Sequence, residues 1–376
     1  MRSRALYVVA LAAALAAAAL FLSLRPGEKP AESTGTTIPA TATPEKVTLL
    51  GSGATFVHPQ LDAWAKEFMR RGPGVVIEYS PTGSGAGQEQ FLAKLVDFAC
   101  SDPPLPSGAL AQARRDPRGV IQLPLVIGSV VVIYNLPGLE GRLRLSGEVL
   151  AAIYLGEIEY WDDPRIASLN SDLRLPHERI VAVHRSDSSG TTQIFTEFLR
   201  KSSRGLWPPE LVGKAVEWPV DKTGRGLGGK GNQGVADLVS RTPGSIGYVE
   251  YAYAALAKLP HALIENAEGR FVDASPETMT SALRGALAKL PPRPDDDFNE
   301  FWGGVIFAPG EDSYPITSFS FLLLYKSYPP SKAEAVKRFV EFIYTEGRGL
   351  MVEGYVPVPE ELASYALRAI EIIGSG

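Results

Sequence analysis

What the 376-residue chain lacks narrows it before any motif is read. There is one cysteine, Cys100, inside the apolar run "LVDFACSD", so neither a disulfide framework nor a cysteine metal site can form within the chain, and the thiol reads as a small core residue. The four histidines, His58, His177, His184 and His261, are scattered without ligand spacing, which argues against a metal centre of the kind a phosphatase would use. Positive charge is not in excess: 37 Lys and Arg against 42 Asp and Glu leave a net charge of −5, and the basic residues are spread out, so nothing draws nucleic acid. Self-similarity at a period of roughly 20–50 residues is missing too, which excludes solenoids.

Of what is there, the N-terminus is the plainest. Met1-Arg2-Ser3-Arg4 precedes an uncharged, Ala- and Leu-rich run from Ala5 to Leu24. A helix of about 20 residues spans about 30 Å, the thickness of a bilayer's hydrocarbon, whereas a cleaved signal has an apolar core of about 7–15 residues. Residues 1–24 are therefore read as an export signal retained as a membrane anchor, its positive end cytoplasmic and the rest of the chain outside. No cysteine follows the run, so lipid anchoring of the lipoprotein kind is excluded. Residues 25–46, rich in Thr and Pro, read as an extended linker.

From Val47 onward the chain repeats one grammar, a β-branched run, a Gly/Ser/Thr loop and an amphipathic helix, which is an α/β pattern. "VTLLGSGATFVHPQLDAWAKEFM" predicts a strand at Val47–Leu50 and a helix whose Leu61, Trp64, Ala65 and Phe68 share a face, with Pro59 in its first turn. A strand at Val75–Tyr79, a helix through Phe91, Leu92 and Leu95, and a strand ending at Ser101-Asp102 follow. A third unit has a strand at Ile180–His184 and a helix carrying Ile194, Phe195, Phe198 and Leu199. The apolar stretches Leu123–Asn135 and Tyr314–Lys326 are read as strands crossing between two lobes. Between them lie a helix around Val149–Tyr154, the loop "TGRGLGGKGNQG", a helix through Leu238 and the strand "SIGYVEY"; helices at Ser331–Tyr344 and Pro359–Ile373 close the chain.

Three helices begin in loops of hydroxyls and glycines, at Thr55-Phe56, Ser84-Gly85 and Ser189-Gly190-Thr191. A helix N-terminus presents unpaired N–H groups and the positive end of the dipole to an anion. Ser and Thr are also ordinary N-caps, so the signal lies in the three together. Arg185 adds a permanent cation whose planar fork suits a tetrahedral oxyanion, and Asp187 is placed either to hold that fork or to cap the helix. Asp102 is the odd member, because a carboxylate facing an anion repels it unless the anion carries a proton. Hydrogen phosphate can donate P–OH to it; sulfate at neutral pH cannot. A site built around such a bond rejects an analogue lacking it by roughly 10⁴–10⁵. Arsenate carries a proton and passes the same test.

Taken in order through most of Leu49–Tyr355, the segments "GSGATFVHPQ", "TGSGAGQEQ", "VDFACSDPPL", "HRSDSSGTTQIF", "GGKGNQGVADLVSRTPGSIGYVEYAYA" and "YPITS" resemble the phosphate-binding proteins of high-affinity phosphate ABC transporters. The resemblance implies a two-lobed α/β periplasmic-binding-protein fold of type II with phosphate buried in the cleft. Lobe I is expected at 47–127 and 318–376, lobe II at 128–317, joined by two crossover segments. The resemblance also places ligand contacts at Thr55, Phe56 (through its backbone N–H), Ser84, Asp102, Arg185, Ser189, Gly190 and Thr191, with Asp187 pairing with Arg185. Departures are Val57-His58 after the Thr-Phe pair and Ser188 where the family often has glycine. The expectation is a monomeric extracytoplasmic solute-binding protein that captures inorganic phosphate and hands it to an ABC transporter permease and ATPase complex. It needs no cofactor, metal or catalytic residue. Its anchor and stalk resemble those of surface-tethered homologues in cells without an outer membrane.

Rival readings fail on particular residues. His184, Asp187 and Ser189 are the residue types of a hydrolase triad, yet strand alternation turns His184 away from the side that Arg185 faces, and no G-x-S-x-G elbow surrounds Ser189. "GRGLGGK", Gly224–Lys230, matches the start of a nucleotide-binding P-loop, but Gly231 stands where Ser or Thr must ligate magnesium. Asp295-Asp296-Asp297 lacks the spacing of a calcium loop. A surface sensor that kept the fold without a transporter is the remaining alternative.

Overall fold

The computed structural model describes residues 46–375 except Pro73. The expected anchor and all but Lys46 of the linker lie outside the described residues, and among those described no helix is long and apolar enough to cross a membrane. The described residues form one compact unit.

The first elements are β1 (Val47–Gly53), α1 (His58–Arg71), β2 (Val75–Ser80), α2 (Ser84–Leu92), β3 (Phe98–Ser101), α3 (Ser107–Ala113) and β4 (Ile121–Asn135). Then come β5 (Arg144–Leu145), α4 (Gly147–Leu155), α5 (Pro164–Leu169), β6 (Val181–Arg185), α6 (Gly190–Ser202), β7 (Gly226–Gly229), α7 (Gly231–Arg241), β8 (Ser245–Glu250) and α8 (Tyr251–Ala257). The chain ends through β9 (Leu263–Glu265), β10 (Phe271–Val272), α9 (Pro276–Ser281), α10 (Asn299–Val305), β11 (Thr317–Leu324), β12 (Ser327–Tyr328), α11 (Pro330–Tyr344), α12 (Glu360–Ile370) and β13 (Gly374–Ser375).

Eight strands make one mixed sheet in the order β2-β1-β3-β11-β4-β8-β6-β7. At one end β2, β1 and β3 run parallel; at the other β8, β6 and β7 do; β11 and β4 are antiparallel to their neighbours in the middle. β4 ties the two ends together. Its first part, to Ser129, pairs with β11, and Val130–Asn135 pairs with β8. Fourteen of its fifteen residues are buried, which is why its sequence reads as a continuous apolar run instead of alternating. Pro124 cannot donate to the ladder, and the register shifts opposite it, between Ser320 and Phe321.

The predicted elements are present with shifted ends. α1 starts at His58 with Pro59 in its first turn and buries Leu61, Trp64, Ala65 and Phe68. α2 stops at Leu92, leaving Leu92 and Leu95 exposed; Lys94 adopts φ 62, a left-handed conformation that breaks the helix before Leu95 is reached. Tyr325–Lys326 lie beyond β11, and Tyr251 belongs to α8 rather than to β8. Within the expected loop at 223–234, Gly226–Gly229 add an edge strand beside β6. Its four residues carry little side-chain signal for a strand, because pairing there rests on the backbone alone. Cys100 is fully buried in β3, where burial pushes its thiol far above the ordinary range.

Candidate functional site

The carboxyl ends of parallel strands from both ends of the sheet converge, which is where open α/β sheets place ligands. Thr55 follows β1, Ser84 opens α2 after β2, Asp102 follows β3, Arg185 ends β6, and Ser189 caps α6 by accepting the Thr192 N–H at 3.1 Å. Every one of these side chains is buried.

Contacts join the expected residues into one cluster. Arg185 directs Nε and Nη2 onto Asp187 at 2.7 and 2.5 Å and donates from Nη1 to Thr191 Oγ1 at 3.2 Å. Ser84 Oγ donates to Asp102 Oδ2 and accepts the Asp102 N–H, both at 3.2 Å. Gly190 links the two groups: a Cβ there would stand 2.3 Å from both Asp102 Oδ2 and Ser84 Oγ, so no side chain fits. Phe56 is fixed from both sides. Its ring lies against β4 so closely that a Cβ on Gly128 would come within 2.6 Å of it, and its carbonyl accepts the Tyr355 hydroxyl at 2.5 Å. The structure thus joins Ser84, Asp102, Arg185, Asp187, Gly190 and Thr191 directly, and Thr55 through the Asn232 amide that bridges it to Thr191; Phe56 and Ser189 stand next to Thr55 and Gly190 in the chain.

The two carboxylates are tuned in opposite directions. Burial pushes Asp102 up to about 7, opposed by the Ser320 hydroxyl at 2.6 Å, the Arg185 charge and Ser84. Burial also pushes Asp187 up, but the Arg185 fork and the Gly231 N–H at 2.9 Å together hold it below the ordinary carboxylate range. A fixed cation with its counter-ion therefore sits beside a carboxylate able to change its protonation near neutral pH.

The two ends of the sheet meet over the cluster. The Gly85 N–H donates to the Ser188 carbonyl at 3.1 Å, and Lys214 Nζ donates to Gln88 Oε1. Gly83 and Gly85 lie so close to Asp187 and Ser188 that neither can carry a Cβ without a shift. Ser188, a departure noted in the sequence, therefore sits at this seam and not among the donors.

Sequence reasoning missed Asn232, Ser320, Tyr355 and Glu250. Asn232 lies in the first turn of α7, just beyond the Gly224–Gly231 stretch rejected as a P-loop and inside a segment that carries the resemblance; the repeated motif of glycines entering a helix was the available signal. Ser320 reaches Asp102 only because β11 pairs with β3, a long-range pairing that local pattern does not reveal. Tyr355 bridges the Phe56 carbonyl and Glu250 Oε2, the latter at 2.9 Å, and burial drives the Glu250 carboxyl well above its ordinary range. His184 does point away: its Nε2 is 2.8 Å from Asp221 and its ring stacks on Trp218, and among the described residues no hydrogen bond joins it to Ser189. No group of three or more His, Cys, Asp or Glu able to hold a metal occurs among the described residues.

Comparison with known proteins matches residues 39–346 to the PBP superfamily domain. The chain is 40% identical over 340 residues to the phosphate-binding protein PstS of Methanocaldococcus jannaschii, covering 88% of this chain and 87% of that protein. It is 40% identical over 325 residues to the phosphate-binding protein PstS of Pasteurella multocida, covering 85% and 89%. Among solved structures it is similar in fold to a phosphate ABC transporter substrate-binding protein with bound phosphate from Clostridium perfringens, with TM-score 0.58 and 20% identity over 83% of this chain and 100% of that one.

Proposed function

The chain belongs to the PBP superfamily and, within it, to the PstS phosphate-binding proteins, and from that premise we propose that it captures inorganic phosphate outside the cytoplasm and delivers it to an ABC transporter permease for import. It is a binding protein and not an enzyme, as its relatives are. The observation that carries the reading is Asp102: a fully buried carboxylate, surrounded by hydroxyls and facing a helix N-terminus and a guanidinium. In a site for a fully ionised anion this group is a liability. For an anion that brings its own proton it is the acceptor that holds it.

In this reading Thr55, Ser189 and Thr191 donate hydroxyl hydrogens, Ser84 turns its hydroxyl from Asp102 to the ligand, Phe56 and Gly190 donate backbone N–H groups, and Arg185 supplies charge with Asp187 fixing its plane. Two lobes, 47–127 with 318–376 and 128–317, close around the ligand by hinge motion at the crossover segments, and the closed form is what the permease and ATPase complex recognises. Residues 1–24 tether a monomer to the membrane and 25–46 space it from the surface. Calorimetric titration with phosphate tests the reading. The expected result is saturable, tight binding by the wild-type protein; the absence of phosphate binding would overturn it.

A further inference from the structure

We infer that Asn232 is a positioning residue that compels the hydroxyls of Thr55 and Thr191 to act as donors to the bound anion. The inference rests on the phosphate reading and adds to it a residue outside the expected contact set. Asn232 is fully buried at the first turn of α7. Its Oδ1 accepts the backbone N–H of Glu250 at 2.9 Å. A backbone N–H can only donate, so the atom facing it must be the amide oxygen, and the amide cannot be turned round.

With Oδ1 fixed, Nδ2 faces two threonines. It lies 2.9 Å from Thr55 Oγ1 and 3.2 Å from Thr191 Oγ1, one hydrogen for each. The Asn232 backbone N–H also points at Thr55 Oγ1, at 3.3 Å, and Arg185 Nη1 at Thr191 Oγ1, at 3.2 Å. All four of these groups are donors only. A hydroxyl oxygen has two lone pairs and one hydrogen, so each threonine oxygen has both lone pairs engaged by N–H groups. Neither hydroxyl donates to a protein atom among the described residues. Their hydrogens are left for the ligand.

The consequence is polarity. A free hydroxyl can rotate to donate or accept and so cannot by itself tell an anion from a water molecule. Two hydroxyls locked as donors, one following β1 and one in α6, meet anion oxygens without first reorganising. Asn232 touches both, so a single amide sets donor direction on both sides of the cleft.

The test exploits an isosteric change. In Asn232→Asp the carboxylate accepts where the amide donated, turning both hydroxyls inward. Calorimetry on the full chain with inorganic phosphate at pH 7.5 should show at least a hundredfold loss of affinity, partly regained as the pH falls and the new carboxyl takes up a proton. In a background of Thr55→Val with Thr191→Val, the same change should cost at least tenfold less than it does in the wild type, because the hydroxyls it acts through are gone and only the repulsion between the new carboxylate and the anion remains. An equal loss in both backgrounds, or affinity within threefold of wild type for Asn232→Asp alone, would overturn the assignment. Should Asn232→Asp not fold, the single Thr→Val variants decide. Each is expected to lower affinity tenfold or more, and no loss from either means the hydroxyls donate nothing to phosphate. Wild-type protein in the same cell separates this from the function itself: if it fails to bind phosphate, the functional reading fails and not only the role of Asn232.

Discussion

Arg185 lies between two aspartates that the fold treats in opposite ways, Asp102 fully buried and Asp187 partly so. Asp187, two residues on in the loop after β6, takes the guanidinium in a two-pronged pair and a backbone N–H besides, and is held ionised. Asp102, after β3 on the other side of the sheet, receives only hydroxyl donors, and its burial dominates. Residue type is alike; Asp102 is the more deeply buried of the two, and their partners differ in kind. A permanent cation neutralises one carboxylate and makes it scaffold, while hydroxyls leave the other free to exchange a proton with whatever binds.

Removing the cation should break the contrast most completely. Arg185→Ala leaves the partly buried Asp187 without its cation but with the Gly231 N–H, and should cost about 3 kcal/mol of stability by denaturant unfolding, the low end for a broken buried pair. Phosphate affinity should fall by about 2–5 kcal/mol in calorimetry, since the charge that the ligand meets is gone. A variant that binds phosphate within threefold of wild type would show that the guanidinium only supports the loop.

Asp102→Asn attacks the other side. Between about pH 4, where a carboxyl in the unfolded chain ionises, and about pH 7, where Asp102 does, the ligand-free folded protein retains a proton the unfolded chain has shed. Raising the pH through that window therefore removes stability, by up to roughly 4 kcal/mol. Unfolding curves of Asp102→Asn across pH 4–8 should lack that decline, apart from what other groups contribute. An amide can also donate, so the variant should accept sulfate; in the wild type sulfate binding should emerge only as the pH falls below about 7. An unchanged pH slope would mean that Asp102 is not the group that retains the proton.

Asp187→Asn makes a smaller change, since the amide oxygen still accepts from the fork while the charge is lost. Affinity for phosphate should drop by about 1.5–3 kcal/mol with selectivity over sulfate intact. Equal damage to selectivity would remove the distinction between scaffold and acceptor. Least of all, Ser320→Ala deletes one hydrogen bond to Asp102 Oδ1 and should weaken phosphate binding by about 1 kcal/mol while moving the Asp102 titration, followed by NMR, upward. A downward move would mean that Ser320 donates to nothing that matters when the carboxyl ionises.

The donors were legible in the sequence because each stands within a few residues of a strand end, where a Gly/Ser/Thr loop enters a helix: Thr55, Ser84, and Ser189 to Thr191 belong to local patterns. Arg185 and Asp187 were legible for the same reason. The long apolar runs announced the central strands because burial on both faces suppresses alternation. Pairing was not legible. That β11 pairs with β3, putting Ser320 on Asp102, depends on contacts more than 200 residues apart in sequence. Asn232 was hidden differently: it is an amide without charge in a glycine-rich segment, and its reach to Thr55 and Thr191 depends on long-range packing. β7 escaped because a run of glycines pairs through its backbone without a side-chain signature.

The central claim is that a buried carboxylate selects an anion that carries a proton. Calorimetric titration of the wild-type protein with sulfate and with phosphate at pH 8, where Asp102 has no proton of its own to offer, tests it directly. The account predicts saturable phosphate binding and an affinity for sulfate lower by roughly 10⁴ or more. Sulfate binding within tenfold of phosphate would contradict it.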